Sequence, residues 1–531
     1  EPPVSSLPLT ARTKYKELPE EETDQIAKAA SIEQALRQLA PLQIAEGLLI
    51  TGITTDPALC RPGFVYVADE SETVDSTRLG VRLDGRAYIG PAIENGAAVV
   101  VTTPDVQPLT GAQFILRENP LALLGPLASR FYSKDVPPPQ CIALVTGTNG
   151  KTSTVNFCRM LWTRRGKNAC SIGNLGGVLS DGSLVWARDP VLSVPETVTL
   201  HKIFHDLARK GVQHVAMEAT SHALFDHRLD GTKATIGAFT NLTRDHLDFH
   251  GTMEEYFRVK MTLFQNVLPE GSFAVLNADA PWYEEARAIC LQRRHQVLSF
   301  GEKGDKIKLL AAETTKNGQK LKLLIDGKTY QSNIQLFGRF QLENVLCSLA
   351  IALASGLSTE ECIEALPFLE PVEGRLNQVA TTPEGGRVIV DYAHTPDGLQ
   401  AALKACRSFT RGKLWVVFGA NGERDPGKRI EMGREATALA DEVIITDGQI
   451  RREDPAKIRA AVKAGAPEAR EITPRVKAIQ FACENLGNGD TVLIAGFGHE
   501  KFQVIGETVI PYSDAETAVK IVGALAQSCS K

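Results

Sequence analysis

The chain has 531 residues, too many for one hydrophobic core, and that length predicts about three domains. A formal net charge of −5 argues against a polyanion-binding surface, so direct nucleic-acid binding is not expected, and 43% hydrophobic with 23% charged residues is ordinary for a soluble globular protein. Ten cysteines without a CxxC pair read as reduced thiols rather than a disulfide framework or structural zinc site, and no apolar run approaches the ~20 residues that span a bilayer. The first residue is Glu1 rather than Met, which is compatible with a removed targeting peptide.

Residues 1–30 are rich in Pro, Glu and Lys and read as a tail. A first α/β domain follows over 31–137, with strand-like runs GLLITGI, FVYVAD and AAVVVTT and a helix across DGRAYIGPAIENGA. KDVPPPQ, 134–140, is a stiff linker. A central domain, 138–369, opens with CIALVTG, turns through Gly-containing residues, and becomes helical from Thr152 onward. HVAMEAT, TIGAFTNL and SFAVLNADA are further strands that each end in polar residues. In a parallel sheet such ends converge on one crevice, where ligands bind. A boundary falls near LPFLEPVEGR, and the last domain, 370–531, repeats the pattern in RVIVDYAHTPD, LWVVFGANGERD, EVIITDGQ and TVLIAGFGHE. The expected fold is therefore three α/β domains.

The stretch VTGTNGKTST, 145–154, sits in the strand–turn–helix setting of a phosphate loop but is shorter than a Walker A loop. The expected first glycine position holds Val145, and the glycine stands instead at Gly147. Backbone N–H groups of 147–151 can cradle phosphate at the start of the next helix, Lys151 adds a point charge, and the Thr152 hydroxyl is placed to ligate Mg²⁺. The plain alternative is a glycine turn between strand and helix. Glu218, ending HVAMEAT, is either a metal carboxylate or a helix cap; His246, beside Asp245 in TNLTRDHLDFHG, is either a Mg²⁺ ligand or a structural histidine.

In chain order GTNGKT, EATSHAL, FTNLTRDHLDFHGTMEEYFRVK, NADAPW, GRFQLEN, VEGR, DYAHTPDGL and GFGHE resemble the Mur ligase family, and among its members the MurE type most closely. The resemblance covers about residues 48–525 and is most specific over 235–264. It implies a P-loop-type central ATPase domain, a Rossmann-like C-terminal domain that binds an amino acid, and an N-terminal domain that binds a UDP-linked substrate. It also implies a reaction: ATP phosphorylates the terminal carboxylate of UDP-MurNAc-L-Ala-D-Glu, and the amine of diaminopimelate or lysine displaces the phosphate. Two Mg²⁺ would serve, one on Thr152 and Glu218 and the other on His246. Lys260 matches a lysine carbamylated by CO₂ in this family, the plain alternative being a surface lysine on an amphipathic helix. Lys151, Lys260 and His246 would be catalytic. Gly147, Thr148, Asn149, Gly150, Lys151, Thr152, Ser153, Asn344, Arg375, Asp391 and His394 would contact ATP. Thr54, Thr55 and Asp56 would lie at the UDP edge, Ser193, Ser221, His222 and Arg228 near the muramyl peptide, and Arg429, Arg451, Gly496 and Glu500 near the amino acid. Each has a plain alternative as a turn or cap residue.

The pattern departs at the substrate sites. Aligned on Glu453-Asp454-Pro455, the DNPR element of diaminopimelate-type members becomes Gly448, Gln449, Ile450 and Arg451. Gln449 could partly replace the lost amide, while Arg451 and Glu500 tilt the choice toward diaminopimelate. GKGHE has become GFGHE, with Phe497 for Lys, and Val194 in LSVPE replaces a hydroxyl donor. NGERDPGKRI keeps Arg424, Asp425, Lys428 and Arg429. Two readings follow: an active ligase in a bacterial cytoplasm, or a MurE-derived non-catalytic subunit of a larger complex, such as the plastid-encoded RNA polymerase of the chloroplast stroma. Retention of Lys151, Thr152, Glu218, His246 and Lys260 favours the ligase. Asp391 and His394 could serve ATP only after rotation of the last domain about a hinge near 366–373.

Overall fold

The computed structural model describes residues 48–69, 84–133, 135–188, 192–506 and 508–529; the tail read at 1–30 and the start of the first domain, 31–47, lie outside the described residues. The described chain forms three α/β units, each built on its own main sheet.

In the first unit four parallel strands, Gly52–Thr54, Phe64–Val67, Ala97–Thr102 and Gln113–Leu116, lie in that order. Alternation divides the two faces: Val65, Val67, Val99 and Val101 enter one core, Tyr66 and Val100 the other. The helix expected over DGRAYIGPAIENGA is shorter than its sequence pattern. Asp84 accepts the Arg86 N–H to start a 3₁₀ turn, Gly85–Tyr88, and the α-helix occupies Ile89–Glu94. The strand Gln113–Leu116 escaped prediction because only one of its four residues is buried.

The central sheet has eleven strands. Its middle six are parallel, in the spatial order Gln296–Gly301, Phe273–Asn277, Ile236–Phe239, Cys141–Thr146, His214–Glu218 and Ala169–Gly173. These strands are apolar runs because both faces are covered. Cys141, Ala143 and Val145 meet one core, which includes the helices Lys151–Arg164 and Arg339–Ala354; Ile142 and Leu144 meet the other. The helix Arg339–Ala354 buries eleven of its sixteen residues, which explains its weakly amphipathic sequence. Antiparallel strands widen the sheet at both edges. One edge carries Ile307–Thr315, parallel to Gln296–Gly301, then the antiparallel Gly318–Ile325 and Lys328–Ile334; Leu321, Leu323, Ile325 and Ile334 face the core while Lys320 and Lys322 beside them are exposed, an alternation that left no long apolar run to find.

The last unit orders its strands Asn377–Thr381, Arg387–Asp391, Thr491–Ala495, Leu414–Phe418, Glu442–Ile445 and Arg470–Glu471, parallel except the first. A hairpin of Phe502–Ile505 and Thr508–Pro511 stands beside it. All four strands read from this region are present, and the residues at or after their C-terminal ends bring Asp391, Asn421, Gln449 and Gly496 to a cavity facing the central unit. The two units are in contact: Arg244 donates to Asp425 at 2.7 Å and Arg375 to Thr152 at 3.0 Å. No helix among the described residues is long and apolar enough to cross a membrane.

Candidate active site

A cavity of about 480 Å³ opens between the central and last units. The phosphate loop forms one wall and Arg451, Gly496 and Glu500 the other. Two glycines shape the loop. Gly147 has φ +143° and Gly150 +88°, and a Cβ on either would overlap Thr240 Oγ1 or Asn344 Oδ1. Gly150 ends the turn and the helix Lys151–Arg164 begins at once, with no side-chain cap, so its first N–H groups face the cavity side of the loop. The loop is latched from behind. Thr148 N–H donates to the Asn241 carbonyl at 2.9 Å, Asn149 N–H to Asn241 Oδ1 at 2.9 Å, and Thr240 Oγ1 to the Asn149 carbonyl at 2.7 Å.

Lys151 and Lys260 converge on the same loop. Lys151 Nζ donates to the Gly147 and Thr148 carbonyls at 2.8 Å each, and Lys260 Nζ to the Gly147 carbonyl at 2.9 Å. Burial pulls the Lys151 ammonium below its ordinary range. Burial, reinforced by the Lys151 charge, pulls Lys260 well below its own. Lys260 is only 1% exposed, so the surface-lysine alternative is excluded.

The Thr152 hydroxyl donates to Glu218 Oε1 at 2.9 Å and accepts from Arg375 Nη2 at 3.0 Å. Glu218 is fully buried, and Asn174 orients it: the Asn174 N–H donates to Oε1 at 2.8 Å and its Nδ2 to Oε2 at 3.0 Å. Ser193 Oγ in turn donates to Asn174 Oδ1 at 2.8 Å. Glu218 does not cap the next helix; Thr220 does, accepting from Ala223. A hydroxyl and a carboxylate this close are the hard oxygen donors Mg²⁺ prefers. Among the described residues no group of three or more His, Cys, Asp or Glu is arranged around a metal, so phosphate oxygens and water would complete the sphere.

His246 Nε2 lies 3.4 Å from Asp245 Oδ2, and burial pushes its pKa down to about 3, so the imidazole is neutral. Burial opposes ionisation of Asp245, but the Lys428 ammonium and a hydrogen bond from His394 hold the carboxyl well below the usual carboxylate range. Lys428 Nζ is 3.5 Å and His394 Nε2 3.6 Å from that carboxylate, so two groups of the last unit meet one of the central unit. His222 packs edge-on against His246 at 4.9 Å between ring centres, and burial drives its pKa well down.

The other residues singled out from sequence divide. Ser153, Asn344, Arg375, Asp391, His394, Ser193, Ser221, His222 and Arg228 all line the cavity. Within it Asp391 accepts the N–H groups of Leu376 and Ala393, His250 Nε2 lies 3.0 Å from Ser221 Oγ, and Arg228 pairs with Asp226 at 2.6 Å. Arg429 does not line the cavity. Its guanidinium is held by Glu453 at 2.6 and 2.7 Å and by the Asn421 carbonyl, so it braces the loops instead. Thr54, Thr55 and Asp56 also lie outside it, at the end of the first strand of the N-terminal sheet, where Asp56 caps the short helix Pro57–Leu59.

Two departures from the family pattern acquire reasons here. Phe497 is 1% exposed and packs on Tyr512 and under the Arg475 guanidinium, 4.5 Å from the ring centre, so it props the backbone rather than facing substrate. The Gln449 amide is consumed by the hairpin: Oε1 accepts from Val504 N–H at 2.7 Å and Nε2 donates to the Phe502 carbonyl at 3.0 Å. It therefore does not stand in for a substrate-binding amide. Sequence reading missed Asn174, Arg188, Tyr392 and His499. Asn174 had a findable signal, a polar residue directly after the apolar strand Ala169–Gly173. Tyr392 lies under Arg375, 4.5 Å from the guanidinium, and His499 Nδ1 is 3.2 Å from Arg375 Nη1.

Comparison with known proteins gives the same picture. Residues 145–352 match the Mur ligase middle domain and 374–498 the Mur ligase, glutamate ligase domain. A UDP-N-acetylmuramoyl-L-alanyl-D-glutamate–2,6-diaminopimelate ligase of Zymomonas mobilis is 42% identical over 478 residues, 89% of this chain and 95% of that protein. The protein of the same name from Rhizobium meliloti is 40% identical over 476 residues, 90% and 95% of the two chains. A solved structure bearing that enzyme name superposes with TM-score 0.65 at 28% identity, covering 92% of this chain and 99% of its own. MurF of Thermotoga maritima, solved with ADP, shares the fold with TM-score 0.60 at 18% identity, covering 91% and 100%. The chain belongs to the Mur ligase family.

Proposed function

We propose that this chain is the ligase that joins 2,6-diaminopimelate to UDP-N-acetylmuramoyl-L-alanyl-D-glutamate at the expense of ATP, a step of peptidoglycan precursor synthesis. The observation that carries the reading is one cavity with two chemically distinct walls. One bears the phosphate loop with Lys151, Thr152 and Glu218; the other bears Arg451 and Glu500, a cation and an anion suited to the carboxylate and ammonium of a diamino acid.

A carboxylate is a poor electrophile, so it must be activated. One of its oxygens attacks the γ-phosphorus of ATP, ADP departs, and the resulting acyl phosphate is attacked by the amine; the amine loses a proton, phosphate leaves and the amide remains. Mg²⁺, when bound, neutralises the triphosphate and its leaving group. The chain's own residues align and neutralise. The loop N–H groups and Lys151 would hold phosphate oxygens, Thr152 and Glu218 would hold one metal, and His246, as a neutral imidazole, would hold the other. Arg375 and His394 reach the same centre from the last unit, so a catalytic geometry requires the two units together.

We assign Lys260 as the carbamylated lysine. Its amine would attack CO₂, forming a C–N bond and releasing a proton, and only a neutral amine can do so. The support is its burial beside Lys151 on the same Gly147 carbonyl, where two adjacent cations are costly. The carbamate retains one N–H, and its negative charge offsets Lys151.

Retention of this machinery, together with the ligase names of the bacterial relatives, favours turnover over the non-catalytic-subunit reading. The test is phosphate release from ATP, Mg²⁺ and UDP-MurNAc-L-Ala-D-Glu with a panel of amino acids. Stimulation by diaminopimelate, with the new amide seen by mass spectrometry, is the expected result. No stimulation by any amino acid would overturn the reading.

A further inference from the structure

Glu500, the carboxylate best suited to the second ammonium of a diamino acid, already has a cation on it. Arg188 Nη1 donates to Oε1 and Oε2 at 3.3 and 3.2 Å, and Nη2 to Oε1 at 3.2 Å. The same guanidinium lies 3.1 Å from His499 Nε2 and 3.4 Å from the Asn174 carbonyl. Both partners are nearly buried, with side chains 14% and 8% exposed. Arg188 follows the strand Leu184–Trp186 of the central unit, whereas Glu500 belongs to the last. Arg188 is thus joined on one side to the acceptor wall and on the other, through Asn174, to the residue that orients Glu218.

A carboxylate gripped by both arms of a guanidinium has few lone pairs left for another cation. An incoming ammonium must compete for Glu500. Resting on the ligase reading above, we propose that Arg188 is an internal competitor for the acceptor: it holds Glu500 until the second ammonium of the amino acid displaces it, and the released guanidinium then turns to the anionic acyl donor beside Glu218. The exchange keeps Glu500 paired in both states, so neither state leaves a buried charge alone. It also ties arrival of the correct amine to delivery of positive charge to the donor. An amino acid lacking the second amine leaves Arg188 where it is.

The experiment compares the full-length wild type with Arg188→Ala and Arg188→Lys, using 2,6-diaminopimelate and, as the probe lacking the distal amine, 2-aminopimelate. With the competitor gone, the diaminopimelate KM of Arg188→Ala falls about tenfold while that of 2-aminopimelate is unchanged. Its kcat with diaminopimelate also falls, by about tenfold or more, because no guanidinium meets the donor. Arg188→Lys, with the charge but not the fork, lies between. KM values for the two amino acids that rise together in both variants would overturn the proposal and leave Arg188 as a clasp between units. A wild type that turns over with no amino acid defeats the ligase reading itself, a result distinguishable from unchanged selectivity in an active enzyme.

Discussion

Gln449 accepts the backbone N–H of Val504 at 2.7 Å, across 55 residues of chain. With the second bond from its Nε2 to Phe502, the side chain pins the hairpin whose Phe502, Val504 and Val509 wall the cavity. Replacing it by Leu leaves a half-buried N–H and carbonyl without that partner, at a cost of about 1 kcal/mol each. Gln449→Leu should therefore raise the amino-acid KM about tenfold with little change in the KM for ATP. Hydrogen exchange supplies the check: the Val504 amide should exchange faster in the variant, and unaltered protection would point to direct contact with substrate instead.

Glu218→Gln keeps the shape of the carboxylate and loses its charge. Turnover should fall about 100-fold or more, because the metal that neutralises the triphosphate loses its anionic ligand. Magnesium titration of the variant should show a raised requirement, and a normal Mg²⁺ dependence would refute the assignment.

Carbamylation of Lys260 predicts dependence on dissolved CO₂. Activity should decline in carefully decarbonated buffer and return on adding bicarbonate. Lys260→Ala should be inactive and partly rescued by a short carboxylate supplied in solution. An enzyme indifferent to bicarbonate would remove the modification from the account.

Gly150 has φ +88° with Asn344 against it, so Gly150→Ala meets both backbone strain and overlap. The strain alone costs on the order of 1–3 kcal/mol. The nucleotide KM should rise more than the amino-acid KM, because the distortion is confined to the phosphate loop. Paired titrations of ATP and diaminopimelate would measure this.

Acid stability follows from His201 and His250, whose pKa values burial lowers from 6.5 to about 4. A histidine depressed on folding stabilises the native state fully above its unfolded pKa and loses that contribution as pH falls toward the folded value. Between about pH 6.5 and 4 the unfolded chain binds more protons, so stability should decline, by roughly 2 kcal/mol per histidine at pH 5. Denaturant titrations across this window measure the slope, and His201→Gln should flatten it.

What was legible beforehand was chemistry carried by consecutive residues. The loop from Gly147 to Thr152 needs only a strand, a turn and a helix start, all within ten positions of VTGTNGKTST. Glu218, Asp391 and Gly496 could be read because each ends an apolar strand, and parallel strands deliver such ends to one crevice. The strands after Ile307 were not read, since in Gly318–Ile325 the buried Leu321 and Leu323 alternate with the exposed Lys320 and Lys322 and the pattern lacks the long apolar run of the parallel strands.

Pairings between distant segments belonged to the tertiary structure alone. Arg188 and Glu500 lie 312 residues apart, Arg375 and Thr152 223 apart, and nothing local in either member signals the other. The same holds for Gln449 and Phe497, whose types suggested altered substrate contacts until packing turned one toward the hairpin backbone and the other under Arg475. Sequence marked the phosphate loop and the polar residues that end the apolar strands, because periodicity and turn chemistry act over a few residues. Which of those groups face substrate, and which are spent on one another, was decided by how two sheets close over a shared space, where burial requires every charge and amide to find a partner.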